Sequence, residues 1–483
     1  MRLRKIGLID PLLLVPHEKK KNKHLVLKTT FKYVVIVGLA LASYKGLQSG
    51  QVDLYAFLLK VSEYLRRCVS DIFSRPWWQI ALFFLPALLF DTTRYYLPNT
   101  IVFFIALIKK VLLVRTEGPE IVPLVTVILP AYNEGPRIRG TINSLLESDY
   151  PRLEIIVVDD GSIDMTQNIC KSYERKGQIK YFRMAMRGGK PSALNFGLKL
   201  AQGEYVIHCD AEILVYRDAI EEVVAPFKDP RVGVVSGNLK VYNERKSMAT
   251  HLQAAEYGMG ISLHRRWLAM TDSLQIASGA FGAFRKEVLE KLMGTDPETG
   301  EDLDITLKAR KAGYKVAFAP RAIAMTNVPE SFRQLFRQRV RWNECYIRIN
   351  LRKHGNIVDL RRFRPGDVIA VVADVIFNLL LLVIFPFYVA WVAIYVPHLF
   401  LFILTATYLF YVLMNAWQFF MVAVLSDTAL RDMGFILLAP VFFFYSIFLK
   451  ATRLMAYTLE FFRSTYLRDG FFPDKVWDSM PRY

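Results

Sequence analysis

The apolar residues of this chain are segregated along it, and that segregation limits its fold more than any other feature. A helix that crosses a bilayer core needs about 20 apolar residues. Residues 366–462 contain three runs of that kind: Val368–Pro397, Leu399–Leu425 and Gly434–Phe462, the last interrupted by Lys450 and Arg453. Shorter runs lie near the N-terminus. Phe31–Ala42 has a basic flank, while Trp77–Phe90 and Thr100–Val114 are broken by Asp91, Arg94, Pro98 and the pair Lys109-Lys110. Between these zones, residues 121–330 alternate the signals of strands and helices. With 483 residues, 53% hydrophobic and 22% charged, the chain is neither water-soluble throughout nor membrane throughout.

Five segments follow from this pattern. Residues 1–120 form a basic segment with two expected spans and one interfacial stretch. Residues 121–330 form an α/β domain, and 331–365 form amphipathic interfacial helices. Residues 366–462 supply three or four spans, and 463–483 form a basic tail. The formal net charge is +18. A basic balance can serve nucleic acid, anionic lipid or a phosphate-bearing substrate. No zinc-ligand spacing or helix-turn-helix signal accompanies it, so no nucleic-acid partner is expected. Positive charge beside spans marks cytosolic loops. The Lys19–Lys23 cluster therefore places the N-terminus, and with it the α/β domain, on the cytosolic face of a multi-pass protein of the cell membrane. The basic start lacks the apolar core of a cleavable leader. The four cysteines, Cys68, Cys170, Cys209 and Cys345, show no paired spacing, which suits a reducing compartment.

In the middle zone, Val125 to Leu129, Glu154 to Val158 and Glu204 to Cys209 read as buried strands. Thr141–Leu146 and Ser192–Leu200 read as helices between them, which predicts a mostly parallel sheet. Acidic clusters sit just past the carboxyl ends of the strands, where open α/β sheets bind ligands. Pro130-Ala131-Tyr132-Asn133-Glu134 follows the first strand; it is either a plain turn or a set of groups for a sugar or base. Asp159-Asp160-Gly161-Ser162 follows the second. Adjacent carboxylates repel and need donors or cations, and Ser162 or Asp164 can cap the helix that follows. Asp210-Ala211-Glu212 follows the third. Two carboxylates so spaced can hold a hard cation that bridges a diphosphate, or can be a solvated turn.

Three further groups lie outside this strand-end pattern. Gly188-Gly189-Lys190 precedes a helix, so its backbone N–H groups and lysine suit a phosphate; its spacing is not that of a P-loop. Gly300-Glu301-Asp302, with Asp304, opens a helix. Acids there are favoured by the helix dipole, or one of them is a general base. Gln338-Arg339-Val340-Arg341-Trp342 lies in the basic amphipathic stretch Phe332–Lys353. This is either an interfacial helix on anionic lipid or a site with arginine on phosphate and indole on a sugar or base.

Taken in order, from about Val125 to Trp342, these motifs resemble the processive members of family 2 of the glycosyltransferases, among them the cellulose, hyaluronan, chitin-oligosaccharide and poly-N-acetylglucosamine synthases. The resemblance implies a Rossmann-like GT-A domain inserted between transmembrane α-helices. It also implies a UDP-sugar donor, a growing glycan as acceptor, Mg²⁺ or Mn²⁺ as cofactor, and export of a β-linked polymer made with inversion. Carried over by position, Asp160 corresponds to the uridine-binding acid and Lys190 to the lysine near the diphosphate. Asp210 and Glu212 stand at the metal motif, where Glu212 replaces the usual aspartate. Asp302 stands at the catalytic base, with Glu301 beside it in the substrate site. Gln338, Arg339, Arg341 and Trp342 match the motif that holds the diphosphate and forms the acceptor site. Trp477 to Arg482 resemble a gating loop. Two other expectations stay open: a transferase adding one sugar to a polyprenyl-phosphate or glycolipid, and a transporter or scaffold carrying an inactive transferase domain.

Overall fold

The structure is a computed structural model. It describes residues 54–85, 87–111, 122–297, 299–356, 359, 365–375 and 381–463. Phe31–Ala42, the Lys19–Lys23 cluster and the 464–483 tail with its Trp477–Arg482 stretch lie outside the described residues. The chain divides into two compact units, residues 1–80 and 81–483. The first contains the amphipathic helix Leu54–Ser74. The second contains the sheet and the helices from Ala87 onward; the short helix Trp77–Phe83 falls at the division.

An eight-stranded sheet forms its centre, in the order β3-β2-β1-β4-β7-β6-β8-β5. The strands are β1 Val125–Ala131, β2 Leu153–Asp159, β3 Lys180–Arg183, β4 Tyr205–Cys209, β5 Leu214–Val215, β6 Val232–Val241, β7 Phe281–Arg285 and β8 Lys315–Thr326. The β1/β2, β1/β4, β2/β3 and β6/β8 pairings are parallel. The β4/β7, β6/β7 and β5/β8 pairings are antiparallel. The sheet is thus mixed, not mostly parallel as the sequence suggests, because β7 inserts between β4 and β6 and runs against both.

The central strands are buried on both faces, which is why they read as unbroken apolar runs. Along β1, Val127 and Leu129 enter one core and Ile128 enters the other. The helices Gly135–Leu146 and Gly189–Leu200 flank this strand. Gly203, just before β4, is a true close approach. A Cβ there would lie 2.5 Å from the Thr126 backbone nitrogen and 2.9 Å from the Leu124 carbonyl oxygen.

Among the described residues, two helical stretches are long and apolar enough to cross a membrane by length and composition, Pro397–Leu425 and Ala429–Glu460. Of the expected run Val368–Pro397, the described residues include the helices Pro365–Val375 and Leu381–Tyr395, and 376–380 lie outside them. Trp77–Phe90 and Thr100–Val114 give way to Trp77–Phe83, a π-helical Ala87–Tyr96 and Leu97–Val111. The apolar helices also join the sheet's core. Phe419, Phe442 and Tyr445 belong to the same buried cluster as Val127 and Leu129. Polar side chains bridge the helices. Asn99 Nδ2 donates to Gln418 Oε1 at 2.7 Å, Tyr96 Oη donates to Asn415 Oδ1 at 3.2 Å, and Lys450 pairs with Asp91 at 2.7 Å.

Gly203→Ala is expected to lower stability by about 1–3 kcal/mol, the usual cost of overpacking a site that cannot relax. A thermal melt of the purified protein that matches wild type would show that the Thr126 backbone gives way.

Candidate active site

The loops after β1 and β2 are laced together. Asn133, in the left-handed region at φ 54°, donates its backbone N–H to Ser162 Oγ at 2.9 Å. Its Oδ1 accepts the Ile163 N–H at 2.9 Å. Glu134 N donates to Thr166 Oγ1 at 2.8 Å, and Gly135 N donates to Asp164 Oδ2 at 3.0 Å. Asp164 also accepts the Thr166 N–H at 2.9 Å, but it stands one residue before the N-cap of the Thr166–Glu174 helix, which is Met165 and has no side-chain cap.

The two adjacent acids after β2 have different environments. Asp159 is fully buried and accepts the Tyr181 hydroxyl at 2.6 Å and the Ser162 N–H at 2.8 Å. Asp160 turns toward the cleft and accepts the Gly188 and Gly189 N–H groups at 2.7 and 2.8 Å. Those N–H groups, expected to cradle a phosphate, are therefore taken by a carboxylate of the protein. The positive φ of 79° at Gly189 goes with this turn. Burial raises the proton affinity of Asp160, although the two N–H groups and Arg187 pull the other way. Arg187 stacks over the Tyr132 ring with its guanidinium carbon 4.0 Å from the centroid.

Lys190 ties the strand ends together. Its Nζ lies 2.8 Å from Asp210 Oδ1 and 2.9 Å from Glu301 Oε1, and it donates to the Gly279 carbonyl at 3.2 Å. Burial alone would lower its proton affinity, but Asp210 and Glu301 hold the ammonium well above its ordinary value. Burial raises Glu301, yet Lys190 more than offsets this and lowers it.

Asp302 is the next residue, in the first turn of the Glu301–Lys311 helix after Gly300 at φ 89°. Its Oδ2 accepts the Gly279 N–H at 3.1 Å and its Oδ1 accepts the Leu303 N–H at 2.8 Å. Burial and the neighbouring Glu301 charge push Asp302 up to about 6, against the pull of Lys190. Asp304 faces away, into His354 at 2.9 Å, Lys353 at 3.0 Å and Lys308 at 3.3 Å, and so anchors the helix.

Glu212 lies 3.3 Å from Arg137, which also approaches Glu134 at 3.7 Å. The Glu212 and Asp210 side chains are 30% and 33% exposed and open into the cleft. That cleft is lined by Tyr132, Glu134, Asp160, Lys190, Asp210 and Glu212 among others. Among the described residues, no group of three or more His, Cys, Asp or Glu could hold a metal. Two exposed carboxylates still fit Mg²⁺, which commonly takes one or two carboxylates and completes its shell with substrate phosphate and water.

Gln338, Arg339, Arg341 and Trp342 do not line this cleft. They lie on the helix Phe332–Ile347, which Ser331 and Gln334 cap reciprocally. Gln338 is buried and its Oε1 has no hydrogen-bond partner among the described residues. Arg339, expected on phosphate oxygens, instead pairs with Glu256 at 2.9 Å and stacks over Trp342 at 4.5 Å. Tyr445 Oη donates to the same Glu256 oxygen at 2.5 Å. Arg341 is partly buried and Trp342 is exposed.

Several neighbours of the site carry no motif. His208 is buried, kept neutral and pushed down to about 3 by burial and Lys190. Gly279, Arg265 and Glu256 reach the site only through the fold. Arg137 alone left a trace in sequence, three residues after Glu134 on a helix. A second cavity of about 720 Å³ lies where β6 and β8 meet the end of the Pro397–Leu425 helix. Its charges are matched internally, by Arg431 with Glu244 at 2.7 Å and Lys240 with Asp432 at 4.0 Å.

The sheet has a GT-A-like α/β fold. Residues 126–293 match the model for glycosyl transferase family 2, so the chain carries a family 2 glycosyltransferase domain. The chain is 31% identical over 257 residues to a poly-beta-1,6-N-acetyl-D-glucosamine synthase of Staphylococcus epidermidis, covering 53% of this chain and 62% of that one. It is 31% identical over 242 residues to the synthase of Staphylococcus aureus strain COL, covering 50% and 58%. The chain thus spans about three fifths of the length of these curated relatives. A mannosyltransferase from Pyrobaculum calidifontis, solved with GDP-Man and Mn²⁺, shares the fold at TM-score 0.50 and 24% identity, covering 73% of this chain and 98% of its own.

Arg137→Gln removes a cation from the Asp210/Glu212 pair. Mn²⁺ affinity measured calorimetrically with UDP present is expected to rise about two- to fivefold, in keeping with the ~0.2–1 kcal/mol of a partly exposed ion pair. Unchanged affinity would take Glu212 out of the metal site.

Proposed function

We propose that this chain is a membrane-embedded, inverting glycosyltransferase. It polymerises sugar from a UDP-sugar donor into a β-linked polysaccharide and passes the product across the membrane. UDP-N-acetylglucosamine is the first donor to test, given the relatives' products. The observation that carries the reading is Asp302, held by the Gly279 N–H with its proton affinity raised into the range of a working base. It stands one residue from the Lys190-bound Glu301.

The residues divide the work. Asp160 and the Tyr132/Arg187 stack face the nucleoside end of the cleft, and Lys190 lies where a diphosphate would sit. Asp210 and Glu212 would hold Mg²⁺ or Mn²⁺, which supplies charge stabilisation to the departing diphosphate. Asp302 accepts the proton of the acceptor hydroxyl as that oxygen bonds to the anomeric carbon. The bond from that carbon to the UDP oxygen breaks, and UDP leaves with the electron pair. Attack opposite the leaving group inverts the centre. In this reading Gln338 and Trp342 serve the acceptor, from the helix Phe332–Ile347 outside the cleft lining. Pro397–Leu425 and Ala429–Glu460 have the length and composition of spans. Their polar pairs suit a bundle interior, because charged groups within a membrane pair with one another.

A panel of UDP- and GDP-sugars offered to the purified protein with Mg²⁺ or Mn²⁺ tests this. A long polymer supports it; a single-sugar lipid product would instead assign the chain to one-step transfer. Asp302→Asn is expected to lower turnover by about 10²–10⁴-fold, the usual contribution of a positioned base, while UDP binding stays near wild type. The active form is the carboxylate, so in the wild type turnover falls about tenfold per unit as pH drops below about 6. A pH–rate profile that is flat from 7 to 5 would remove Asp302 from the role.

A further inference from the structure

Residues 277–280, just before β7, form a strap that touches Asp302, Lys190 and the Asp210 backbone. Ala277 N donates to Thr306 Oγ1 at 3.1 Å, and that hydroxyl donates to the Asp302 carbonyl at 2.6 Å. Gly279 N donates to Asp302 Oδ2, and Gly279 O accepts from Lys190. Ala280 O accepts the Asp210 N–H at 3.1 Å. The fit is close. A Cβ on Gly279 would lie 3.1 Å from both Cβ and Oδ2 of Asp302.

Beneath the strap lies Arg265, in the helix His264–Met270. One guanidinium nitrogen, Nη1, donates to Ser236 Oγ at 2.7 Å and to Ser278 Oγ at 3.1 Å. Ser236 Oγ in turn accepts the Ser278 N–H at 3.4 Å. Arg265 makes no carboxylate pair within 4.0 Å among the described residues. The acid whose charge bears on it is Asp302; burial pulls the guanidinium down to about 10, while Asp302 and Tyr257 act against that. A cation held this deep without an ion-pair partner is costly. Here it is aimed at the strap that presents the Gly279 N–H.

We propose that Arg265 is a positioning residue for Asp302: its two-serine anchor fixes the strap so that the Gly279 N–H stays on the carboxylate, and its charge favours the ionised form. This rests on Asp302 being the base. The groups facing Asp302 are Glu301 on its own helix, Lys190 from the Gly189–Leu200 helix and Arg265 from below. Asp210 and His208 from the β4 edge act through Lys190 and Glu301. Glu301 disfavours the carboxylate, so the two cations keep it ionised near neutral pH.

The test uses full-length protein in lipid nanodiscs, with Arg265→Gln, Arg265→Lys and Ser278→Ala. Arg265→Gln is expected to lower kcat about tenfold or more, a part of what a positioned base contributes. KM for the UDP-sugar and affinity for UDP should stay within about twofold, because the strap acts on the base and not on the nucleotide. The acid limb of the pH–rate profile should move up by about half a unit or more, since a cation near a carboxylate has been removed. Arg265→Lys keeps the charge and should return the limb toward wild type. If Arg265→Gln does not bind UDP, Ser278→Ala decides; it removes one hydroxyl and is expected to lower kcat by about threefold or more with UDP affinity kept. A wild-type kcat and limb in Arg265→Gln, or in Ser278→Ala when that variant decides, overturns the proposal. Asp302→Asn separates the two ideas. Turnover retained there fails the base itself, whereas turnover lost there with an unaltered Arg265→Gln fails the positioning role alone.

Discussion

The ammonium of Lys190 is where the separate pieces of the cleft become one site. It reaches Asp210 at the end of β4, Glu301 at the start of a helix and the carbonyl of Gly279 before β7. Each carboxylate alone would face a steep desolvation cost in this partly buried place. With the ammonium between them, Glu301 is drawn below its ordinary value in spite of burial. The charge also fixes three segments far apart in sequence, so the shape of the cleft depends on it. Removing Lys190 would leave two acids facing each other, and the β4 edge and the Glu301–Lys311 helix would repel.

That same charge separates the chemistry of two neighbouring acids. Glu301 is drawn down by Lys190, while Asp302, one residue on, is buried beside the Glu301 charge and is raised. Pairs of acids pushed apart in this way mark a division of labour between a fixed anion and a proton acceptor. The division depends on backbone geometry. Gly300 in the left-handed region starts the helix, and a Cβ there would meet Ile349 Cδ1 at 2.7 Å. Asp304, two residues further, is pulled the opposite way into Lys308, Lys353 and His354. The helix is thus tied down on one side and presents Asp302 on the other.

The strand ends and their acids were readable in sequence because burial on both faces makes long apolar runs, and polar residues that interrupt such runs stand out. The helix that follows Gly188 was readable for similar local reasons, whereas the helix after Asp164 opens at Met165 without a side-chain cap. What decides the rest is not local. The place of β7 depends on β4 and β6, which it pairs with only after the chain returns, and nothing in Phe281–Arg285 tells which way it will run. The Gly188 and Gly189 N–H groups looked free for phosphate because the sequence does not show that Asp160 arrives from another loop. Arg339 reads as a phosphate ligand because its partner Glu256 lies 83 positions away and leaves no trace beside it in sequence. Arg265 and Gly279 carry no local pattern at all.

The motif near Trp342 therefore has a second task besides any contact with substrate. Glu256 on the transferase side accepts from both Arg339 and Tyr445, the latter on an apolar helix, and Arg348 pairs with Glu460 at 3.1 Å. Phe442 and Tyr445 sit in the core that also buries β1. A packed core transmits displacement instead of absorbing it, so the apolar helices cannot shift without moving the sheet edge or breaking those pairs. An enzyme that extends a chain must advance its product by one unit for each bond made. Here the helix carrying Gln338 and Trp342 is fastened to the apolar helices by charge and by core packing, while Asp302 is held by the Gly279 N–H and stands beside the Lys190-bound Glu301. Under the proposed function the acceptor end and the base share one frame, and a motion that advances product passes through the cleft side chains and not through a loose hinge between the sheet and the apolar helices.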